Sequence, residues 1–313
     1  AFNAPVGGTL FILEEVLRKV TPIGFVLAAA AAVSSAIVQR GIFGMGFDFR
    51  VADVAAGPVV NLPIYLLFGA VIGVLGVYYN RLLVGLAARG SWLQEIPTPL
   101  RALAIGGIVG LVAWFFPNDA GGGDPLTQKV LQGYASIGLL LTLSLARFFL
   151  GPLSYAAGTP GGLFAPVVAL GALLGAASGL ALHSIAPDFF PSPVAFAVAG
   201  MAAFFTASIR APLTGIVICL EMTGCYELFL PMLAACVGSY LVPTLFRSEP
   251  IYDALAKPGN EIKTQRCKAA EEHGDAEEGD EVDVDRLGAT GCHTFVDQTF
   301  EGDRQCEHRP GGE

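Results

Sequence analysis

Phe2-Asn3-Ala4-Pro5-Val6-Gly7-Gly8-Thr9-Leu10-Phe11-Ile12-Leu13-Glu14 and Ile209-Arg210-Ala211-Pro212-Leu213-Thr214-Gly215-Ile216-Val217-Ile218-Cys219-Leu220-Glu221 are one pattern written twice, at a fixed offset of 207 residues (Pro212 against Pro5). Ala4-Pro5 matches Ala211-Pro212, Gly8 matches Gly215, Leu13 matches Leu220 and Glu14 matches Glu221. In each copy a proline suited to a first helical turn is followed nine residues later by a carboxylate. Two small-residue helices led by proline can look alike by chance. The other reading is a duplicated membrane unit of about 200 residues, the plan of many secondary transporters, with the substrate site between the halves. On that reading the partner of Gly162 falls before Ala1, so half of the site is expected upstream of this chain.

Composition points to a membrane for both copies. The chain has 313 residues, 53% hydrophobic and only 14% charged, with a mean hydropathy of +0.60, too apolar for a water-facing surface. Residues 1–257 hold 12 of the 18 Lys/Arg and 12 of the 27 Asp/Glu. The net charge of −9 therefore belongs to residues 258–313, where the remaining 6 basic and 15 acidic residues lie. Apolar blocks over 20–38, 61–88, 99–116, 132–150, 163–185, 193–206 and 228–246 approach the roughly 20 residues that a hydrocarbon layer requires. Gly/Pro interruptions at 155–166 and 210–215 predict helices that begin or end at mid-membrane depth, tolerable only where protein or a watery cavity covers the freed backbone groups. The acidic segment 258–313 is predicted to be disordered, because it has too few large apolar residues to offset the entropy of ordering. Six cysteines, three in apolar sequence (Cys219, Cys225, Cys236) and three in the tail (Cys267, Cys292, Cys306), form no disulfide framework.

A third stretch carries chemistry. Ala157-Gly158-Thr159-Pro160-Gly161-Gly162-Leu163-Phe164-Ala165-Pro166 leads into the apolar helix at 167–185. Glycines allow tight turns and leave amides uncovered, and Pro166 fits a first turn. Amides at the positive end of a helix dipole make an anion site without a full positive charge, so an anion binds there without being trapped. Close helix packing through small residues explains Gly161-Gly162 equally well on its own.

Gly162-Leu163-Phe164-Ala165-Pro166 resembles the G-x-F-x-P selectivity motif of the CLC chloride channels and transporters, and Gly158-Thr159-Pro160-Gly161 resembles that family's lead-in. The stretch Ala207 to Thr223 and the opening Ala1 to Pro5 are similar to further signatures, so the resemblance covers about residues 1–257. It implies an all-α, polytopic membrane protein of CLC-type inverted-repeat architecture with tilted and partial transmembrane helices. Residues 1–257 would be the transport domain, its first repeat incomplete at the N-terminus, and 258–313 an acidic tail. The implied function is chloride transport coupled to proton exchange; the alternatives are a passive chloride channel and an inactive truncated fragment. A homodimer in the lipid bilayer of the cell membrane is implied, with chloride as substrate, no cofactor, no metal and no nucleic acid.

Site residues follow from the same resemblance. The backbone amides of Leu163 and Phe164 and the hydroxyl of Tyr252 are the expected chloride ligands, and a neutral phenol suits an anion because it donates without bringing an opposing charge. Glu15 aligns with the internal proton-transfer glutamate of the antiporters, where channels of the family usually have an apolar residue. A carboxylate at the edge of a low-dielectric region can pass protons near neutral pH. Without the family, Tyr252 reads as an interfacial aromatic and Glu15 as a solvated carboxylate beside Arg18 and Lys19. Glu221 reads as structural. A serine-bearing chloride motif and a gating glutamate in G-K/R-E-G-P are expected before Ala1. Tyr252 argues against the fluoride-exporting branch, which lacks it.

Other residues carry weaker signals. Arg147 and Lys129 are cations that attract anions or, more commonly, snorkel to headgroups. Cys292, His293, Cys306 and His308 lack metal-ligand spacing. His183, the one histidine before the tail, has no acidic or nucleophilic partner at helical spacing, which speaks against an intramembrane enzyme.

Overall fold

The computed structural model describes residues 3–18, 21–44, 46–51, 54, 57–87, 96–115, 121–133, 136–158 and 161–256. The predicted tail, the cysteines and histidines in it, and Thr159-Pro160 of the glycine-rich loop lie outside the described residues. Among the described residues every regular element is helical: α1 (Pro5–Phe11), α2 (Pro22–Phe43), α3 (Leu62–Ala87), α4 (Thr98–Phe115), α5 (Asp124–Leu131), α6 (Ile137–Tyr155), α7 (Phe164–Ile185), α8 (Pro193–Ile209), α9 (Pro212–Thr223) and α10 (Phe229–Leu245). A π-helical turn, Ile12–Leu17, continues α1, and residues 251–256 are helical after α10.

The repeat in the sequence is a repeat in the backbone. Ala4, before α1, has φ −117° and ψ 76°. Its counterpart Ala211, before α9, has φ −111° and ψ 78°. The residues one step earlier, Asn3 and Arg210, both take a left-handed φ, 44° and 72°. The two helices then exchange caps. Glu14 accepts from Leu213 N (3.4 Å), Thr214 N (2.8 Å) and Thr214 Oγ1 (2.7 Å) at the start of α9. Glu221 accepts from Val6 N (3.1 Å) and Gly7 N (2.7 Å) at the start of α1. Val6 and Gly7 are the repeat mates of Leu213 and Thr214. A carboxylate in the first turn of a helix satisfies orphan N–H donors and the dipole together. Such reciprocity, each helix end serving the other's start, is what a two-fold relation between antiparallel copies produces. The inverted repeat is thus written in hydrogen bonds as well as in sequence.

Six helices among the described residues are long and apolar enough to cross a membrane: Pro22–Ile42, Val59–Ala87, Thr98–Phe115, Ile137–Tyr155, Phe164–Ile185 and Tyr226–Leu245. Two shorter apolar helices, Pro193–Ile209 and Pro212–Thr223, accompany them. Outer helices present large apolar side chains outward: Ile23, Leu27, Ile37 and Ile42 on α2, Leu103, Leu111 and Trp114 on α4. In α8, by contrast, every residue from Val194 to Ile209 is buried. A helix apolar on all sides belongs at a centre, and α7, α10, α3 and α9 surround it. Contact between α7 and α8 is made through glycines: a Cβ on Gly175 would stand 2.1 Å from Phe196 O, and one on Gly171 would stand 2.3 Å from Gly200 O. Small residues let membrane helices approach this closely. Locked against α8, the start of α7 becomes a fixed point in the interior.

Candidate functional site

Leu163, the residue before α7, has φ −90° and ψ −17° and makes no side-chain capping bond. The hydrogen-bond ladder of α7 opens with Val167 N to Leu163 O at 3.2 Å. Amides ahead of that bond are those a helix start directs outside its own ladder. Gly158 shapes the approach: its φ of 76° is left-handed, and a Cβ there would lie 2.6 Å from Arg101 Nη2. The side chain of Phe164 is fixed edge-to-face on Phe205 of α8, centroids 5.2 Å apart. Residues Gly161 to Pro166 line a cavity of about 540 Å³, together with Tyr155, Ser154 and Arg147 of α6, Tyr79 of α3 and the Gly121-Gly122 pair. The predicted motif therefore sits as one wall of one cavity, at the electropositive end of a 22-residue helix.

A second cavity, of about 590 Å³, is lined by Phe11, Glu15, Val16, Arg18, Tyr252, Asp253 and Ala256. Glu15 comes from the π-helical turn, a helix form enriched at functional sites. Its side chain is only 8% exposed and stands 3.4 Å from Arg18 Nη2. Burial, the largest influence, pushes its carboxyl above the ordinary range, with Arg18 opposing and Asp253 and Glu14 reinforcing. Tyr252 packs edge-to-face on Phe11 with centroids 6.2 Å apart. Burial also holds its phenol above the usual value, followed by the negative charge of Glu15 and the neighbouring Tyr155. Tyr155 lines the cavity with Leu163 and Phe164 and lies close enough to Tyr252 to affect its ionisation.

The structure thus brings Leu163, Phe164, Ala165 and Pro166 together, and separately joins Glu15 to Tyr252. Arg147 lines the first cavity, with Nη1 3.3 Å from Gly121 O. Lys129 is exposed on the short helix α5 and lines neither cavity described here. His183 is committed to a turn, its Nδ1 2.6 Å from Phe190 O. Tyr155 and Asp253 were not legible as site residues. Tyr155 looks like any interfacial aromatic, and Asp253 meets Arg18 across 235 positions of sequence.

The sequence profile of the voltage gated chloride channel family matches residues 1–244. The chain belongs to the voltage gated chloride channel family. Within it, the chain is 37% identical over 263 residues to the H(+)/Cl(-) exchange transporter ClcA of Yersinia pestis bv. Antiqua (strain Angola), covering 82% of this chain and 54% of that protein. It is 38% identical over 260 residues to the protein of the same name from Cronobacter sakazakii (strain ATCC BAA-894), covering 82% and 56%. A slow cyanobacterial Cl−/H+ antiporter of known crystal structure shares the fold at a TM-score of 0.76 and 28% identity, over 83% of this chain and 61% of that one. The chain spans about half the length of the curated relatives it matches. Membership in this voltage gated chloride channel family, with six long apolar helices among the described residues, makes the chain part of an integral membrane protein.

Proposed function

We propose that this protein exchanges chloride for protons across the cell membrane, as a homodimer with one pore per subunit. The observation that carries the reading is the placement of Glu15. It is a shielded carboxylate of raised proton affinity, opening on a cavity that it shares with Tyr252. The relatives named as exchangers support it.

In this reading chloride rests against the amides of Leu163 and Phe164 and the hydroxyl of Tyr252, all neutral donors. Their attraction is short-ranged and comes with a helix dipole rather than a fixed cation, so binding stays reversible. Arg147, in the wall of the cavity that Leu163 and Phe164 line, raises the local anion concentration there. The raised phenol range keeps Tyr252 a donor at neutral pH. Glu15 takes up a proton from the aqueous side of the second cavity and passes it inward, and the proximity of Tyr252 lets the two fluxes sense one another.

The test uses the protein encoded by the complete gene, reconstituted in vesicles. A chloride gradient is expected to drive protons uphill, and the reversal potential is expected to shift with pH. Glu15→Gln should keep chloride flux while abolishing proton pumping. A reversal potential indifferent to pH in the unmodified protein would make it a passive channel, and no flux of either ion would refute chloride transport.

A further inference from the structure

Arg18 ends the π-helical turn in a left-handed conformation, φ 50° and ψ 10°, that non-glycine residues rarely adopt. Its guanidinium is shared among three acceptors. Nε donates to Glu15 O at 3.2 Å, Nη2 to Glu15 Oε1 at 3.4 Å, and the same Nη2 to Asp253 Oδ1 at 2.5 Å. The two carboxylates compete for one nitrogen, and distance decides the outcome: Asp253 holds the short, charge-assisted bond and Glu15 keeps a long one. Asp253 is also the residue after Tyr252, and all three charged groups line the cavity that Tyr252 faces.

Stability alone does not account for the arrangement. The side chains of Arg18 and Asp253 are 49% and 35% exposed, and ion pairs that open to water contribute little to folding. Glu15, at 8% exposure, is the member of the trio whose charge is poorly hydrated. It is therefore the one whose proton affinity responds most to where the guanidinium sits.

We propose that Asp253 is a positioning residue for proton transfer, drawing the guanidinium of Arg18 off Glu15. The inference rests on the exchange reading, and it assigns Asp253 a role exerted through Arg18 rather than by contact with the transported ions. Charged and titratable groups around Glu15 are Glu14 and Arg18 from its own turn and Tyr252 and Asp253 from the helical segment packed against it. With the Asp253 charge removed, Arg18 turns fully to Glu15, stabilises the carboxylate and makes it harder to protonate. With Arg18 removed, the negative charges of Asp253 and Glu14 act on Glu15 without opposition and make it easier to protonate.

The two substitutions therefore move one titration in opposite directions, which loss of a structural contact would not do. The experiment follows the infrared C=O stretch of protonated Glu15 in the complete reconstituted protein, isolated by subtracting the spectrum of Glu15→Gln, alongside the pH dependence of proton transport. Asp253→Asn should shift the Glu15 midpoint to lower pH by about one unit, and Arg18→Gln should shift it to higher pH by a similar amount. Asp253→Glu should restore the original midpoint, and retained chloride flux in each variant shows that it is folded. Midpoints unmoved by both substitutions, or moved in the same direction, overturn the proposal. Because the spectroscopic midpoint is read without transport, it stands apart from the exchange reading: unmodified protein that pumps no protons refutes exchange, whichever way the midpoints move.

Discussion

Tyr252 offers one hydroxyl to the proposed anion, and its ring is held by Phe11, so its aromatic body and its donor are separable by substitution. Tyr252→Phe keeps the edge-to-face contact and deletes the O–H. Chloride affinity should fall by about 1 kcal/mol, roughly fivefold, by isothermal titration; unchanged affinity would remove the tyrosine from the ligand set. Glu15 yields a pH prediction whose sign is fixed by its environment. Its folded carboxyl lies above the ordinary value of 4.5, so the folded chain binds this proton more tightly than the unfolded one. Stability therefore falls as pH rises from that ordinary value through the folded one, and the loss is complete above it. Glu15→Gln, never charged, should melt higher than the unmodified protein at pH near 8, with the difference shrinking toward about pH 4. A difference that is constant with pH would mean that Glu15 is as well hydrated as a surface carboxylate.

At the scale of elements, what fixes the site is how closely α7 can approach α8. With Phe196 O only 2.1 Å from where a Cβ on Gly175 would stand, Gly175→Ala must push the helices apart. It should cost roughly 1–3 kcal/mol in detergent unfolding. Gly110 on α4 is the control: nothing lies within 4 Å of its Cβ position, and Gly110→Ala should stabilise by roughly 0.5–1 kcal/mol through helix propensity alone. The spans themselves were legible, because long apolar runs between glycine and proline breaks have few alternatives. Boundaries were less so. The apolar block at 132–150 became a helix over Ile137–Tyr155, started by Ser136 Oγ accepting from Leu139 N at 3.5 Å and running on through Pro152. Pro152 gives up the bond that its N–H would have made to Phe148 O, yet the helix runs on past it to Tyr155. The widening from α1 into a π-turn at Ile12 left no trace in residue types. The motif from Gly162 to Pro166 was readable because its chemistry is local. The Arg18–Asp253 pair was not, because nothing in either segment names the other.

For the whole molecule, the question is what keeps the two repeats in register when lipid supplies no hydrophobic drive between helices. The exchanged carboxylates answer it. Glu14 reaches three donors at the start of α9, and Glu221 reaches two at the start of α1. Each helix start needs the other repeat to satisfy its amides, so a slip of one repeat along the other would orphan both sets at once. Replacing either carboxylate by Gln turns one accepting oxygen into a donor that faces other donors. Glu14→Gln and Glu221→Gln should each lower stability by roughly 1.5–3 kcal/mol, with Glu14→Gln the larger because it loses more bonds. The two carboxylates share no donor, so the double variant should equal the sum of the singles within about 0.5 kcal/mol, by urea or dodecyl sulfate unfolding of the micelle-bound protein. If either single substitution proved neutral, water would already be serving those amides, and the register of the repeats would have to come from close contacts between α1 and α9 such as Gly7, where a Cβ would stand 2.3 Å from Ile218 Cγ1.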